Sequence, residues 1–170
     1  MVKPLCSVAA RTDPHRWLLG AARNVAACPE LWRAHLRRDS GERWHALLWA
    51  HDELEAWLLG WPAGEATELH DHGGSAGAFI VVEGILLETY LDPRGWTSAG
   101  GVLRGRRLRP GALVGFGADH IHDMVNAVRR QALSIHVYSP RLRSMTFYET
   151  RPDHGLVAVR TEVTETAAQA

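Results

Sequence analysis

Cysteine is scarce in this chain: there are two among 170 residues, Cys6 and Cys28, both in the N-terminal part. Neither stands in C-x-x-C spacing, so a disulfide-stapled scaffold and a cysteine-ligated zinc site are excluded, and both thiols are expected to be free in a reducing cytosol. Excess charge of either sign is also lacking, with 19 Lys plus Arg against 19 Asp plus Glu. No basic block is interleaved with aromatics, which removes the electrostatic footprint of a nucleic-acid binder or a polybasic membrane surface. No apolar run approaches the roughly 18 residues of a membrane span, and the opening MVKPLCSVAA lacks the long apolar core of a leader. The expectation is a cytoplasmic protein with no nucleic-acid or membrane partner, whose ligand is small and neutral or zwitterionic. Fixed-period repeats are missing, as is any linker long enough to separate domains. With 46% hydrophobic residues, a chain of this length can bury roughly 70% of its unfolded surface around one core, so residues 1–170 are read as a single domain.

What is present changes character near residue 40. From about 13 to 39, Pro14 stands at a helix start, and Trp17, Leu18, Ala21, Ala22 and Val25 recur with the spacing of one helical stripe. Pro29 interrupts; Leu31, Trp32 and Leu36 continue on a second short helix, and Asp39, Ser40 and Gly41 end this helical cap. From about 43 to 165 the chain breaks into short apolar runs between turn residues: HALLWA, EAWLLGW, AFIVV, ILLETYL, VLRG, ALVGF, HDMVNAV, ALSIHVY, MTFYE and LVAVRTEV. Many short strands at such spacing predict a β-sandwich or small barrel. Glu83 and Gly84 predict a tight hairpin turn, while Asp92 to Gly95 and Arg109 to Gly111 predict connectors. Residues 166–170 are expected to form a frayed tail.

Histidine carries the chemistry. His70 and His72 form an H-x-H pair flanked by β-favouring runs, and residues two apart on an extended segment project to one face, where both imidazoles can reach one ion. A third imidazole, His122, stands four residues before Asn126. Three such nitrogens suit a divalent metal and leave open both iron chemistry and zinc hydrolytic or lyase chemistry.

Gly64, the H-x-H pair and Gly84, together with H-x3-N from His122 to Asn126, resemble the two motifs of the cupin family across roughly the middle half of the chain. The resemblance implies a mainly β fold, a double-stranded β-helix or jelly-roll barrel with the metal inside, here preceded by a short N-terminal helical cap. The acidic ligand usual in the first cupin motif would fall at or beside Gly77, and GGSAGAF holds no carboxylate; the implied ligands are therefore His70, His72 and His122. Three neutral imidazoles leave the ion its full charge and room for an anionic ligand such as a thiolate.

Downstream, Ser134, His136 and Tyr138 read S-x-H-x-Y-S-P and share one face of a strand. With HDHGGS and the H-x3-N element, this looks like the cysteine dioxygenase family of thiol dioxygenases. The resemblance implies Fe(2+) as cofactor, a small thiol and dioxygen as substrates, and a sulfinic acid as product. L-cysteine is the first substrate to test, and 3-mercaptopropionate or another small thiol the second. It also implies that Tyr138 faces the substrate, oriented by His136 and Ser134. A phenol donor so held can stabilise charge developing on a bound oxygen.

Two departures stand out. In animal members a cysteine beside the site crosslinks to the tyrosine; the matching position here is Gly77, which carries no sulfur. The family's carboxylate-binding arginine would fall at Trp44 or His45, with Arg43 close by, and Arg141 or Arg143 just after the S-x-H-x-Y strand offers another fork that can pair both carboxylate oxygens. A metal- or ligand-binding cupin sensor without turnover would account for a missing anchor and leaves Ser134, His136 and Tyr138 without a purpose. His120 is expected at the pocket rim, His15, His35, His45, His51 and His154 at the surface, and Trp57 and Trp61 inside the barrel.

Overall fold

The computed structural model describes residues 14–92, 94, 101–151 and 155–164; Cys6, Asp13, Pro93, Gly95, His154 and the tail expected at 166–170 lie outside them. The first element is α1, Pro14–Ala26, begun by a proline whose missing N–H costs nothing in a first turn. Its stripe Leu18, Ala22 and Val25 is buried. The expected second helix is instead two 3-10 turns, Pro29–Leu31 and Arg33–His35. Only Trp32 between them is buried, while Leu31 lies exposed. One apolar anchor does not offset the cost of nucleating an α-helix, and isolated i to i+3 turns remain.

Each of the ten apolar runs contains a strand: β1 Trp44–His51, β2 Leu54–Trp61, β3 Ala76–Glu83, β4 Leu86–Leu91, β5 Leu103–Leu108, β6 Leu113–Phe116, β7 His122–Val125, β8 Ala132–Ser139, β9 Ser144–Arg151 and β10 Gly155–Val163. All pair antiparallel. One sheet has the order β1-β2-β8-β3-β6, and the others are β5-β4-β7 and β10-β9. Residues 66–70 join the last two through bridges from Ala66 to Val125 and from His70 to both His122 and Phe147. The segment carrying the first histidine of the H-x-H pair thus acts as an irregular strand of the second sheet.

Period-two alternation divides the first sheet into two faces. Ala56, Leu58, Ala78, Ile80, Leu133, Ile135 and Val137 form a core with α1. Trp61, Phe79, Val81, Phe116 and Tyr138 point the other way, into the barrel, where they meet Leu86, Leu108 and Met124. Both faces of β8 are covered, which is why ALSIHVY reads as almost continuously apolar. The turn at Gly84 differs from the expected hairpin: β3 and β4 do not pair, and the chain crosses there from one sheet to the other. Glycine is required, with φ at +76° and an added Cβ only 2.6 Å from that of Ala132. No described helix is long and apolar enough to cross a membrane.

Candidate metal centre

His70 and His122 are directly opposed across an antiparallel bridge, each backbone N–H donating to the other's carbonyl at 2.9 Å. That bridge brings the two halves of the motif together. His72 follows where the chain turns into β3, with Ser75 N–H donating to its carbonyl. Asp71 between them serves the opposite side: its carboxylate accepts from Tyr148 O–H at 2.6 Å and from the N–H groups of Gly73 and Thr146, tying the H-x-H segment to β9. The potential ligand atoms of His70, His72 and His122 all lie within 4.8 Å of one another, and all three side chains are buried.

Burial is the main reason these imidazoles are neutral. It lowers His70 to about 3 and His72 well below its ordinary value. It lowers His122 as well, although Glu88 opposes the shift. Neutral imidazole is the form that binds metal. His70 Nδ1–H donates to the Glu68 carbonyl at 2.7 Å and His122 Nδ1–H to Glu88 Oε1 at 2.8 Å, so each ring keeps the Nε2 lone pair for a ligand role. Both ring nitrogens of His72 are buried without a hydrogen-bond partner among the described residues. An unsatisfied buried polar group is costly, and a cation between the three rings would engage one of these nitrogens. The residues present therefore fit a divalent ion, whose identity three nitrogens alone leave open.

Glu88, on β4, belongs to none of the sequence motifs. Its fully buried carboxylate accepts from His122 Nδ1–H, from His120 at 3.2 Å and from Arg106. Burial pushes this carboxyl up, but the three donors together hold it well below the ordinary range. A carboxylate behind a ligating imidazole fixes the ring's tautomer and orientation. The available signal was position: Glu88 is two residues from buried Leu86 in an alternating strand, where a polar residue on the inner face needs a partner. His120 is less peripheral than expected. Its side chain is only 12% exposed, and its ring stacks on Phe116 at 5.0 Å. With Glu88 and His122 it forms a second group able to hold a cation.

Beside the three imidazoles runs a chain of donors. Trp61 Nε1–H donates to Ser134 Oγ at 2.9 Å, Ser134 Oγ lies 2.9 Å from His136 Nε2, and His136 Nδ1 lies 3.3 Å from the Tyr138 oxygen. With Ser134 accepting from the indole, its own O–H is best satisfied by donating to His136 Nε2. The imidazole proton then sits on Nδ1 and donates to Tyr138, leaving the phenol O–H free to donate onward. Burial keeps His136 neutral, lowered to about 3, and raises the Tyr138 phenol above its ordinary value, so it remains a donor at neutral pH. The Tyr138 and His72 rings are 5.4 Å apart. Trp61 thus does more than fill the barrel.

The three candidate arginines are placed differently. Arg43 precedes β1, and extending the pairing of Trp44 with Gly60 sets it opposite Trp61. Its side chain is exposed, yet the guanidinium lies 5.5 Å from the Trp61 ring centroid. Its charge opposes in small part the burial-driven rise of Tyr138 and adds a little to the burial-driven lowering of His70 and His136. Arg141 is half-buried and engages the fold through its carbonyl, 3.5 Å from Ser75 Oγ; Arg143 is exposed. Trp44 turns away into the α1 core, and His45 packs edge-on against Trp57 at 5.4 Å. His35 and His51 are exposed, as expected. At Gly77 an added Cβ would lie 2.3 Å from the Phe116 ring and 2.8 Å from the Val137 carbonyl. Phe116 in turn stacks on His72 at 4.7 Å. The space for a side chain at 77 is taken by an aromatic that braces a ligand candidate.

Among solved structures, the chain is similar to a protein from Thermus thermophilus, with 18% identity, 64% of this chain and 92% of that one covered, and a TM-score of 0.52. A double-stranded β-helix protein from Klebsiella pneumoniae subsp. pneumoniae MGH 78578 matches with 12% identity over 75% of this chain and 93% of that one, at a TM-score of 0.52. Oxalate oxidase matches with 15% identity over 66% of this chain and 58% of that one, at 0.55. At such identities the likeness concerns the fold, a mainly β cupin barrel with an N-terminal helix. Residues 21–151, well over half of the chain, match the family described as cysteine dioxygenase type I. That span holds all three buried imidazoles and the Ser134, His136 and Tyr138 series, and this chain belongs to the cysteine dioxygenase type I family.

Proposed function

We propose that this protein is an iron-dependent thiol dioxygenase that converts L-cysteine and dioxygen to cysteine sulfinic acid. One observation carries the reading: three buried imidazoles, with no carboxylate among them, stand beside a hydrogen-bonded series from Ser134 through His136 to the Tyr138 oxygen. His70, His72 and His122 would hold Fe(2+), which when bound supplies the affinity for a thiolate and for dioxygen that this chemistry needs. The reaction balances as RSH plus O2 giving RSO2H, with both oxygen atoms transferred and sulfur oxidised by four electrons.

The protein's own role is placement and hydrogen bonding. Tyr138 donates its O–H toward the reacting groups, while His136, Ser134 and Trp61 hold its direction. Arg43 pairs with the substrate carboxylate from the rim, favoured over Arg141 and Arg143 because its guanidinium lies 5.5 Å from the ring of Trp61, the residue that begins the donor chain. Phe116 and Phe79 flank the imidazoles and exclude water. The same anchor suits 3-mercaptopropionate, the second substrate reading. A sensor without turnover would have no use for the ordered donor chain.

The test is an anaerobic assay of iron-loaded protein: mix with L-cysteine, admit isotopically labelled oxygen, and identify the product by mass spectrometry. Cysteine sulfinate carrying two labelled oxygens is expected. His122→Ala should lose both iron and product; retention of both would refute the ligand assignment. Metal analysis of protein purified without added iron separates the iron reading from a zinc enzyme.

A further inference from the structure

With the bridges of residues 66–70 counted, β1, β5, β6 and β10 end the sheets among the described residues. An edge strand is normally kept from pairing with another chain by short length or by charge. β6 has only four residues, β5 carries Arg104, Arg106 and Arg107, and β10 carries Arg160 and Glu162. β1 has neither protection. Its eight residues, WHALLWAH, include no Lys, Arg, Asp or Glu, and Leu47 near its middle is an exposed apolar side chain.

The strand is complementary to a second copy of itself. A bulge places Leu48 between the Leu47–Trp57 and Trp49–Ala56 pairs, and one extra residue exchanges the faces of those that follow. Trp44 and Ala46 before the bulge, and Trp49 after it, pack against the α1 core. His45 packs on Trp57, and Ala50 pairs with Glu55, on the barrel side. Directly opposed residues of an antiparallel ladder share a face. A two-fold axis between Leu47 and Leu48 meets that condition: Trp44 falls opposite His51 of the second copy, His45 opposite Ala50, and Ala46 opposite Trp49.

The same register carries Arg43, just before the strand, to Asp52, just after it. Both side chains are exposed. A cation therefore meets an anion at each end of the shared ladder, whereas a parallel alignment would set like charges together. The five N–H donors of the guanidinium let Arg43 serve this contact and a substrate carboxylate together. An edge of eight residues is roughly 26 Å long. At a depth of two layers, about 20 Å, pairing would bury about 500 Å² per copy and about 1,000 Å² in all, the lower limit of a specific interface.

We infer that two copies of this protein join antiparallel through β1, continuing the five-stranded sheet of one copy into that of the other. The dimer stands or falls apart from the thiol dioxygenase reading, because assembly is measured without substrate.

Sedimentation velocity of the iron-loaded protein across a concentration series tests it. A monomer–dimer equilibrium with a dissociation constant on the order of 10 µM is expected from so small an interface. Leu47→Lys puts a charge on the edge and should weaken the dimer at least tenfold, with the circular dichroism spectrum unchanged. Asp52→Asn keeps a residue that tolerates the positive φ of this position, and should weaken it about two- to fivefold. A monomer at every concentration up to about 200 µM, or a dimer indifferent to Leu47→Lys, would overturn the assignment. Hydrogen exchange of the wild type decides the matter even if a variant fails to fold. Amides of β1 should be better protected in concentrated than in dilute samples, and protection independent of concentration refutes pairing through this strand.

Discussion

Lowering the pH of the metal-free protein from 7 to 5 should destabilise it sharply. His70 and His136 are buried and held at about 3, so they stay neutral in the folded protein across this range. In the unfolded chain the same imidazoles titrate near an ordinary value of about 6.5. The unfolded state therefore binds more protons, and stability falls as pH drops below that value. Between pH 7 and 5 the loss is about 2 kcal/mol for each, hence about 4 kcal/mol for the two. His72 and His122, also lowered, act with the same sign. The depressed carboxylates Glu68, Glu88 and Asp92 contribute stability that is lost only at more acid pH, below about 4, so this window belongs to the imidazoles. Against a typical domain stability of about 5–15 kcal/mol this is a large fraction. With a urea dependence of about 2 kcal/mol per molar, the unfolding midpoint should fall by about 2 M. Urea titrations followed by tryptophan fluorescence at pH 7, 6 and 5 measure it directly. A midpoint that moves by only a few tenths of a molar would refute the burial argument and, with it, the neutral ligand set.

Other consequences can be measured independently. Glu88→Gln weakens the hold on the His122 ring and should lower ferrous-ion affinity roughly 10- to 100-fold, read by competition with a chelator. Gly77→Glu, which would restore the acidic residue of the first cupin motif, should instead cost about 1–3 kcal/mol in chemical denaturation, because Phe116 and the Val137 carbonyl already occupy the space. Arg43→Ala should raise KM for L-cysteine at least tenfold while leaving cysteamine, which has no carboxylate, nearly unaffected in steady-state oxygen consumption.

Much of the molecule was written locally. The ten apolar runs each became a strand because alternation at period two is a property of neighbouring residues, and that period alone put Ser134, His136 and Tyr138 on one face, while their place beside the metal site came from the family resemblance. The H-x-H spacing worked the same way, sending both imidazoles inward and Asp71 outward to β9. Only the fold decided which strands pair, since that depends on residues far apart in the chain. For this reason the Gly84 turn proved to be a crossing between sheets, and 66–70 joined the second sheet by pairing with β7 and β9. Glu88 behind His122, Trp61 behind Ser134, Phe116 in the space beside Gly77 and Arg43 over Trp61 are likewise contacts between separate segments. A sequence states which side chains face inward; burial, tautomer and the identity of each partner follow only when distant strands are brought into register.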